Sequence, residues 1–306
     1  MFNLNKMGSW SNITFDRWVP RYPHSLPYRI FKCYDNDLMG MVTSFESAKG
    51  YIYKHLASDG AVWGSIARDY GLMLDNNIRT IKEWSNNYNE FENWLRLSWL
   101  MSLCSCFETY LACIIKECIE SAPGLLIAVP HAIDGIYYKK KGISILRNED
   151  LDLHIRNCTK GTWQSRFEHL SRLFGSVPPI IFNSISDLEK IRKIRNDFGH
   201  AFGRDIQESQ DYFKVNKSPI ARLSVIRFNK YHALIVKIIQ ELDKYLCKEY
   251  IGNYEPLLHY HSIYSTIANL EKGERMIKLK KTLHAEKNTG YSKDFCRGII
   301  LYYENL

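Results

Sequence analysis

The sequence lacks the features that would point to a membrane-spanning, secreted or zinc-binding protein. It has no uncharged apolar run of about 18 residues and no cleavable signal pattern, so we expect a cytoplasmic protein with no membrane partner. No two cysteines have the two-residue gap of a zinc knuckle, and there is no internal repeat or low-complexity tract. These absences favour an ordinary soluble globular chain.

The eight cysteines are predicted to be reduced thiols in the protein core. Four of them, Cys104, Cys106, Cys113 and Cys118, fall within one apolar helical pattern. A free cysteine packs like a small apolar side chain, and disulfide frameworks are typical of smaller chains in oxidising compartments.

The charge balance is moderately basic and favours an anionic partner. Lysine and arginine number 41 against 33 acidic residues, which gives a net charge of +8 and a pI near 8.9. Nucleic acid is the commonest such partner. Two basic clusters, Lys139–Lys141 and the segment 272–287, are each interpreted either as solvated surface or as RNA contacts.

Hydrophobic periodicity predicts a mainly all-α fold, an up-and-down helical bundle with additions at both ends. Apolar residues recur three and four positions apart from residue 44 onward. We predict an irregular, then helical region at 1–88, a bundle at 89–250, and a small, partly basic helical extension at 251–306.

Several local features refine this prediction. Prolines at positions 20, 23 and 27 argue against a long helix before residue 45, where loops and one or two short strands are expected. The central apolar helix should break near Asn86–Asn89 and end at Pro123, followed by a long irregular excursion with a short hairpin. An amphipathic helix is expected in 161–175, and a long closing helix should end before Gly252.

The stretch KIRKIRNDFGHAFGRD, residues 190–205, carries the candidate functional residues. Ser186 and Glu189 form a capping box at the start of its helix. At about 100° per residue, an apolar stripe lies on one side, and the other side presents the polar and glycine positions. The stripe is Leu188, Ile191, Ile194, Phe198, Ala201 and Phe202, and the opposite side is Arg192, Asn196, Gly199, His200 and Gly203, with Arg195 on the shoulder.

This face combines cations, an amide and an imidazole with two positions that lack a side chain. Each interior glycine costs about 0.5–1 kcal/mol relative to alanine, which makes sense if a partner must approach the backbone closely. Asn196 precedes His200 by one helical turn, so its amide is predicted to hold the ring.

The stretch Arg195-Asn196-Asp197-Phe198-Gly199-His200 resembles the motif of the HEPN superfamily of helical-bundle domains. Its surroundings are similar too: an apolar helix with an embedded acid (FETYLACIIKECI), an amphipathic segment (GTWQSRFEHLSRLF) and a long closing helix. The resemblance covers about residues 90–250.

The resemblance implies a metal-independent endoribonuclease, with no cofactor, that acts as a homodimer with one composite site. Arg195 would stabilise the phosphorane, His200 would transfer a proton or position phosphate, and Asn196 would orient the site. Arg192 and Lys139, Lys140 and Lys141 are candidate RNA contacts, and Gly199 and Gly203 are candidate points of close approach. By analogy we expect a toxin or anti-phage, abortive-infection effector with an antitoxin or regulatory partner.

Alternatives to this interpretation stay open at the level of the sequence. Similar arginine–histidine spacings occur at Arg17–His24, Arg147–His154 and Arg227–His232, but none combines a helix, a polar second residue and an open face. Arg195 would alternatively pair with Glu108 on the neighbouring helix, and His200 would simply favour a helix C-terminus. The chain would then be a non-catalytic RNA- or nucleotide-binding module, or a helical dimerisation or regulatory protein.

Overall fold

A computed structural model describes residues 10, 13–58, 80–144, 147–201, 204, 219–287 and 290–306. These residues are almost entirely helical and include no strand, so the predicted all-α fold class is confirmed. Eleven α-helices lie in this part of the chain: α1 (Leu26–Ser58), α2 (Ile81–Ser121), α3 (Gly135–Lys141), α4 (Asn148–Thr159), α5 (Trp163–Phe174), α6 (Pro179–Asn183), α7 (Ile185–Ala201), α8 (Val225–Leu246), α9 (Tyr254–Ile267), α10 (Lys272–Lys287) and α11 (Lys293–Asn305).

The first helix begins within the proline-bearing region, so the predicted absence of a long helix there is wrong. Pro27 occupies the first turn of α1, where the missing amide hydrogen is not needed and the fixed φ suits a helix. Ser25 caps this end, because its Oγ accepts a hydrogen bond from the Tyr28 amide at 3.2 Å. The helix then continues for 33 residues.

Helix α2 runs without interruption through Asn86–Asn89, where a break was predicted. Asparagine is a weak helix former but not a breaker, and ring packing supports this turn. Trp84 stacks on Tyr88 with centroids 5.1 Å apart, and Tyr88 stacks on Phe45 of α1 at 6.1 Å. Packing of these aromatic side chains therefore outweighs the local propensity.

Helix α2 is also apolar enough in composition to cross a membrane. Within Lys82–Ser121, an 18-residue window has a mean hydropathy of 1.4, and half of that window is buried. No other helix among the described residues passes this test, which a buried core helix also satisfies.

The predicted excursion after α2 is helical, not a hairpin. Ser121 is the last residue of α2, as expected from Pro123, and 3-10 turns follow at Pro123–Ile127 and Pro130–Ala132. Asp134 then caps α3 by accepting a hydrogen bond from the Ile136 amide at 3.1 Å. Short helices satisfy the backbone here without any strand partner.

The capping box predicted for the motif helix is also wrong. Helix α7 begins one residue before Ser186, and the Leu188 amide donates to the Ser184 carbonyl at 2.9 Å. Ser186 therefore lies inside the helix. Glu189 accepts a hydrogen bond from Arg192 on the next turn instead.

Other predicted elements are confirmed. Helix α5 occupies the amphipathic segment, with Trp163, Leu170 and Phe174 buried, and three helices follow Gly252. Helix α8 continues as a π-helical turn, Cys247–Ile251, up to Gly252. Gly252 has a φ of +55°, and a Cβ there would lie 2.4 Å from the Arg17 carbonyl oxygen, so only glycine fits.

All eight cysteines carry free thiols, but not all of them are in the core. Cys104 and Cys118 are buried as predicted. Cys113 is exposed on α2, which corrects the prediction of a core position. Burial raises the pKa of the Cys118 thiol well above its ordinary value, so it stays protonated.

The chain forms two compact units. Unit 1 comprises the described residues of Met1–Arg29, Leu111–Ile181 and Gln240–Leu306, and unit 2 those of Ile30–Tyr110 and Phe182–Ile239. Each unit combines segments that are distant in sequence. The division into consecutive regions 1–88, 89–250 and 251–306 stays a prediction.

Unit 1 is organised around the buried side chain of Arg17. The guanidinium donates to the Ile251 carbonyl at 2.6 Å, to Ser121 Oγ at 2.7 Å and to Asp134 at 3.2 Å. Tyr302 of α11 donates to the other oxygen of Asp134 at 2.6 Å. Burial lowers the pKa of Arg17, while the neighbouring Asp134 acts in the opposite direction.

Unit 2 contains the candidate site. Its core includes Leu100 and Leu103 of α2, Leu188 and Ile191 of α7, and Phe228 of α8, all nearly inaccessible to solvent. An ion pair between Asp187 and Lys230, at 2.8 Å, joins α7 to α8. The predicted apolar stripe of α7 is therefore confirmed at Leu188 and Ile191, while Ile194 and Phe198 are half-buried.

Candidate functional site

The candidate residues occupy the second half of α7. Arg195 and Asn196 are half-buried, whereas Gly199 and His200 are exposed in the last turn. Gly203 and Phe202 lie outside the described residues. The helix therefore presents Gly199 and His200 to the surface, with the arginine and the amide closer to α2.

The guanidinium of Arg195 contacts two acceptors. Its Nη1 donates to Asn196 Oδ1 at 3.2 Å, and its Nη2 donates to Glu108 Oε2 of α2 at 3.4 Å. The third nitrogen, Nε, is buried and has no hydrogen-bond partner among the described residues. Arginine donors are usually satisfied when buried, so this guanidinium is incompletely bonded.

The pair between Arg195 and Glu108 confirms the contact expected from the alternative interpretation. The two side chains are 30% and 20% exposed, so solvent screens their attraction. Such a pair contributes about 1 kcal/mol or less.

Asn196 orients the arginine in this structure. Its amide oxygen accepts a hydrogen bond from Arg195, so the amide is engaged with the guanidinium. The contact predicted from the sequence, between the Asn196 amide and the His200 ring, is not formed in the described part of the chain. Among the described residues, His200 makes no side-chain hydrogen bond, and its ring projects from an exposed turn.

Gly199 is not required by the packing of the chain itself. Among the described residues, a Cβ at this position would meet only the terminal methyl carbon of Met101, at an ordinary contact distance of 3.5 Å. The helix would therefore accept alanine, which has the higher helix propensity. This side of α7 is open among the described residues.

Two of the remaining cationic candidates, Arg192 and Lys140, already donate hydrogen bonds within the chain. Arg192 donates to Glu189 at 2.7 Å on its own helix. Lys140 donates to the carbonyl oxygens of Tyr303 at 2.6 Å and Glu304 at 3.2 Å, which caps the end of α11. Burial, and then the nearby charge of Lys141, lowers the pKa of Lys140.

The three lysines therefore do not share one role. Lys141 lies over the ring of Tyr137 at 5.4 Å, and Lys139 is exposed. All three belong to unit 1, whereas Arg195 and His200 belong to unit 2. The proposed RNA contact of this run stays a prediction.

The sequence analysis missed a second polar cluster in unit 2. His232 of α8 donates through Nε2 to Asp35 of α1 at 2.6 Å, and Lys32 donates to the other carboxylate oxygen at 2.6 Å. Burial tends to raise the pKa of Asp35, but the hydrogen bonds from Lys32 and His232 hold it below its ordinary value. Asp35 and His232 are 197 positions apart, so no spacing rule links them.

The described residues contain no group of three histidine, cysteine or acidic side chains placed to hold a metal ion. Comparison with family models gives no match, and comparisons with curated proteins and with solved structures find no significant similarity. The functional interpretation therefore rests on the residues of the chain and on the motif they form.

Proposed function

We propose that the protein is a metal-independent endoribonuclease of HEPN type. RNA cleavage by the 2′-hydroxyl needs that hydroxyl deprotonated, the charged phosphorane stabilised and the 5′-oxygen protonated. Arginine and histidine supply these functions without a metal. The products would carry a 2′,3′-cyclic phosphate or 3′-phosphate and a 5′-hydroxyl.

The observation that carries the proposal is the incompletely bonded guanidinium of Arg195 on the same helix as an exposed His200. Arginine remains charged at every physiological pH and offers forked donors that match two phosphate oxygens. Histidine titrates near neutrality and can accept or donate a proton.

Substrate binding would exchange the Glu108 carboxylate for a phosphate. The contact between Arg195 and Glu108 is 3.4 Å long and partly exposed, so its loss costs little. Asn196 would keep hold of Nη1 and thereby limit the rotation of the guanidinium. In this proposal Asn196 is a positioning residue and Arg195 and His200 are the catalytic residues.

The proposal includes a homodimer, in which two motif helices would approach each other. Gly199 leaves open space on the exposed side of α7, and a helix without a side chain there can come close to a second copy. One composite site would then contain Arg195 and His200 from both chains.

The biological role proposed for this activity is that of a toxin or anti-phage defence effector in the cytoplasm. An RNA-cleaving toxin needs a restraint, so an antitoxin or regulatory partner is part of the proposal. This step rests on the family resemblance and on analogy.

A second candidate function is a non-catalytic helical module, which binds RNA or a nucleotide or only dimerises. The ion pair between Arg195 and Glu108 favours it, because a structural partner already explains the arginine. Under this alternative, Arg195→Ala lowers stability or dimerisation and no RNA is cut.

Expression in a host and incubation of the purified protein with total RNA test the proposal. We expect wild type to be toxic and to degrade RNA, and Arg195→Ala and His200→Ala to lose both properties. His154→Ala is the matched control, since His154 follows Arg147 and Asn148 at a similar spacing on another helix. Intact RNA with the wild-type protein would contradict the proposal, as would cleavage that EDTA abolishes.

A further inference from the structure

Unit 1 contains a cavity of about 280 Å³, well apart in sequence from the motif helix. It lies between the end of α2, the exposed side of α3 and the start of α4. Its lining includes two residues of opposite charge, Glu120 and Lys139, the polar residues Tyr138 and Asn148, and the apolar residues Pro123 and Leu151.

Next to the cavity, the start of α3 packs close to the end of α2. A Cβ at Gly135 would lie 1.7 Å from the Glu120 carbonyl oxygen, so only glycine allows this approach. Lys139 follows Gly135 by four residues and therefore lies on the same side of α3. The contact thus brings the lysine to the same cavity as Glu120.

The two charged groups do not neutralise each other. Both line the cavity, yet neither Glu120 nor Lys139 forms an ion pair or a side-chain hydrogen bond within the described part of the chain. Burial first, and the charge of Lys139 second, lowers the pKa of His261. A cavity with convergent polar groups and apolar walls is typical of a small-molecule site.

We propose that this cavity binds a small zwitterion of amino-acid type, with its ammonium group at Glu120 and its carboxylate at Lys139. The volume of about 280 Å³ lies just below the range of about 300–1,000 Å³ for ligand sites, which suits an amino acid better than a nucleotide. The acidic residue Glu120 in the lining disfavours a polyphosphate. The apolar walls at Pro123 and Leu151 suit an aliphatic side chain.

The test begins with a thermal-shift screen of the common L-amino acids against the full chain, followed by calorimetric titration. L-leucine is the reference ligand, and its two analogues isopentylamine and isocaproate each lack one of its charges. We expect leucine to bind saturably and each analogue to bind about tenfold more weakly, since a charge-assisted hydrogen bond is worth roughly 1.5 kcal/mol or more.

Two variants assign the charges separately. Glu120→Gln should weaken the binding of leucine and isopentylamine about tenfold and leave the binding of isocaproate unchanged. Lys139→Met should weaken the binding of leucine and isocaproate about tenfold and leave the binding of isopentylamine unchanged. Lys141→Met, a neighbouring exposed lysine outside the cavity, is the matched control and should bind leucine like wild type. The proposal is overturned if no amino acid binds, or if both cavity variants bind leucine with wild-type affinity.

Discussion

Arg195 of α7 and Glu108 of α2 face each other, with Nη2 of the arginine 3.4 Å from Oε2 of the glutamate. Two opposed interpretations of the protein both include this contact. In a nuclease it holds the guanidinium until a phosphate arrives, and in a scaffold it is simply an interhelical ion pair. The predictions that follow separate these roles.

The charge of Glu108 should compete with RNA for Arg195. Replacing it, in Glu108→Gln, keeps a hydrogen-bond acceptor but removes the negative charge next to the guanidinium. We expect the affinity for a labelled single-stranded RNA to rise about threefold to tenfold, measured by fluorescence anisotropy. Glu117→Gln on the same helix is the control, and an unchanged or weaker affinity for Glu108→Gln would contradict the exchange.

Gly199 should be required for assembly, and the fold should not require it. Gly199→Ala should raise the free energy of unfolding by about 0.5–1 kcal/mol, because alanine is the better helix former and the site has room. The same variant should weaken dimerisation in sedimentation velocity and reduce cleavage. Gly50→Ala, at an open and exposed position in α1, should stabilise without either effect. A Gly199→Ala protein that dimerises and cleaves RNA like wild type would show that a second copy of the chain does not approach the helix closely at Gly199.

Arg17 should be the most sensitive single position in unit 1. Arg17→Met leaves the Asp134 carboxylate without its buried partner and removes the hydrogen bonds to Ser121 and Ile251. Breaking a buried pair by removing one side costs about 3–5 kcal/mol. Urea denaturation measures this loss in the free energy of unfolding. The control is Arg21→Met, at an exposed arginine nearby, which should change the free energy of unfolding by less than about 0.5 kcal/mol. Equal stabilities of the two variants would show that Arg17 does not organise the unit.

Asp35 should make stability depend on acid pH. The pKa of Asp35 is below its ordinary value of 3.8, so its contribution is fully present above about pH 4 and is lost as the pH falls towards the lowered pKa. The difference in the free energy of unfolding between wild type and Asp35→Asn should therefore be largest at neutral pH. This difference should become smaller below pH 4. The free energy of unfolding at several pH values tests this, with the exposed Asp37→Asn as the control. A difference in the free energy of unfolding that stays constant with pH would show that the titration of Asp35 is not coupled to folding.

The fold was predictable where hydrophobic periodicity and a terminating glycine act along one helix. Spacing along one helix predicts the amphipathic pattern of α5 and the apolar side of α7 at Leu188 and Ile191. Gly252 marks the end of the helical stretch that α8 and its π-helical turn form. The errors arose where position or packing changes the meaning of a residue. Pro27 is harmless in a first turn, and aromatic contacts carry α2 through its asparagines.

The candidate site was predictable only in part, for a related reason. The half-buried Arg195 and exposed His200 follow from the helix, and the partner Glu108 was available on the neighbouring apolar helix. Contacts between distant segments were not predictable. Lys140 caps α11 through residues 303 and 304, and His232 bonds to Asp35, and neither relationship leaves a trace in local sequence.

The most direct measurement of the central claim is the mapping of cut ends on a defined single-stranded RNA, incubated in EDTA with wild type and with His200→Ala. The account predicts cleavage by wild type that leaves a 2′,3′-cyclic phosphate or 3′-phosphate and a 5′-hydroxyl. It also predicts an initial rate lower by about 100-fold or more in the variant, the usual loss when a proton-transfer group is removed. Equal rates for the two proteins, or intact RNA with both, would contradict it.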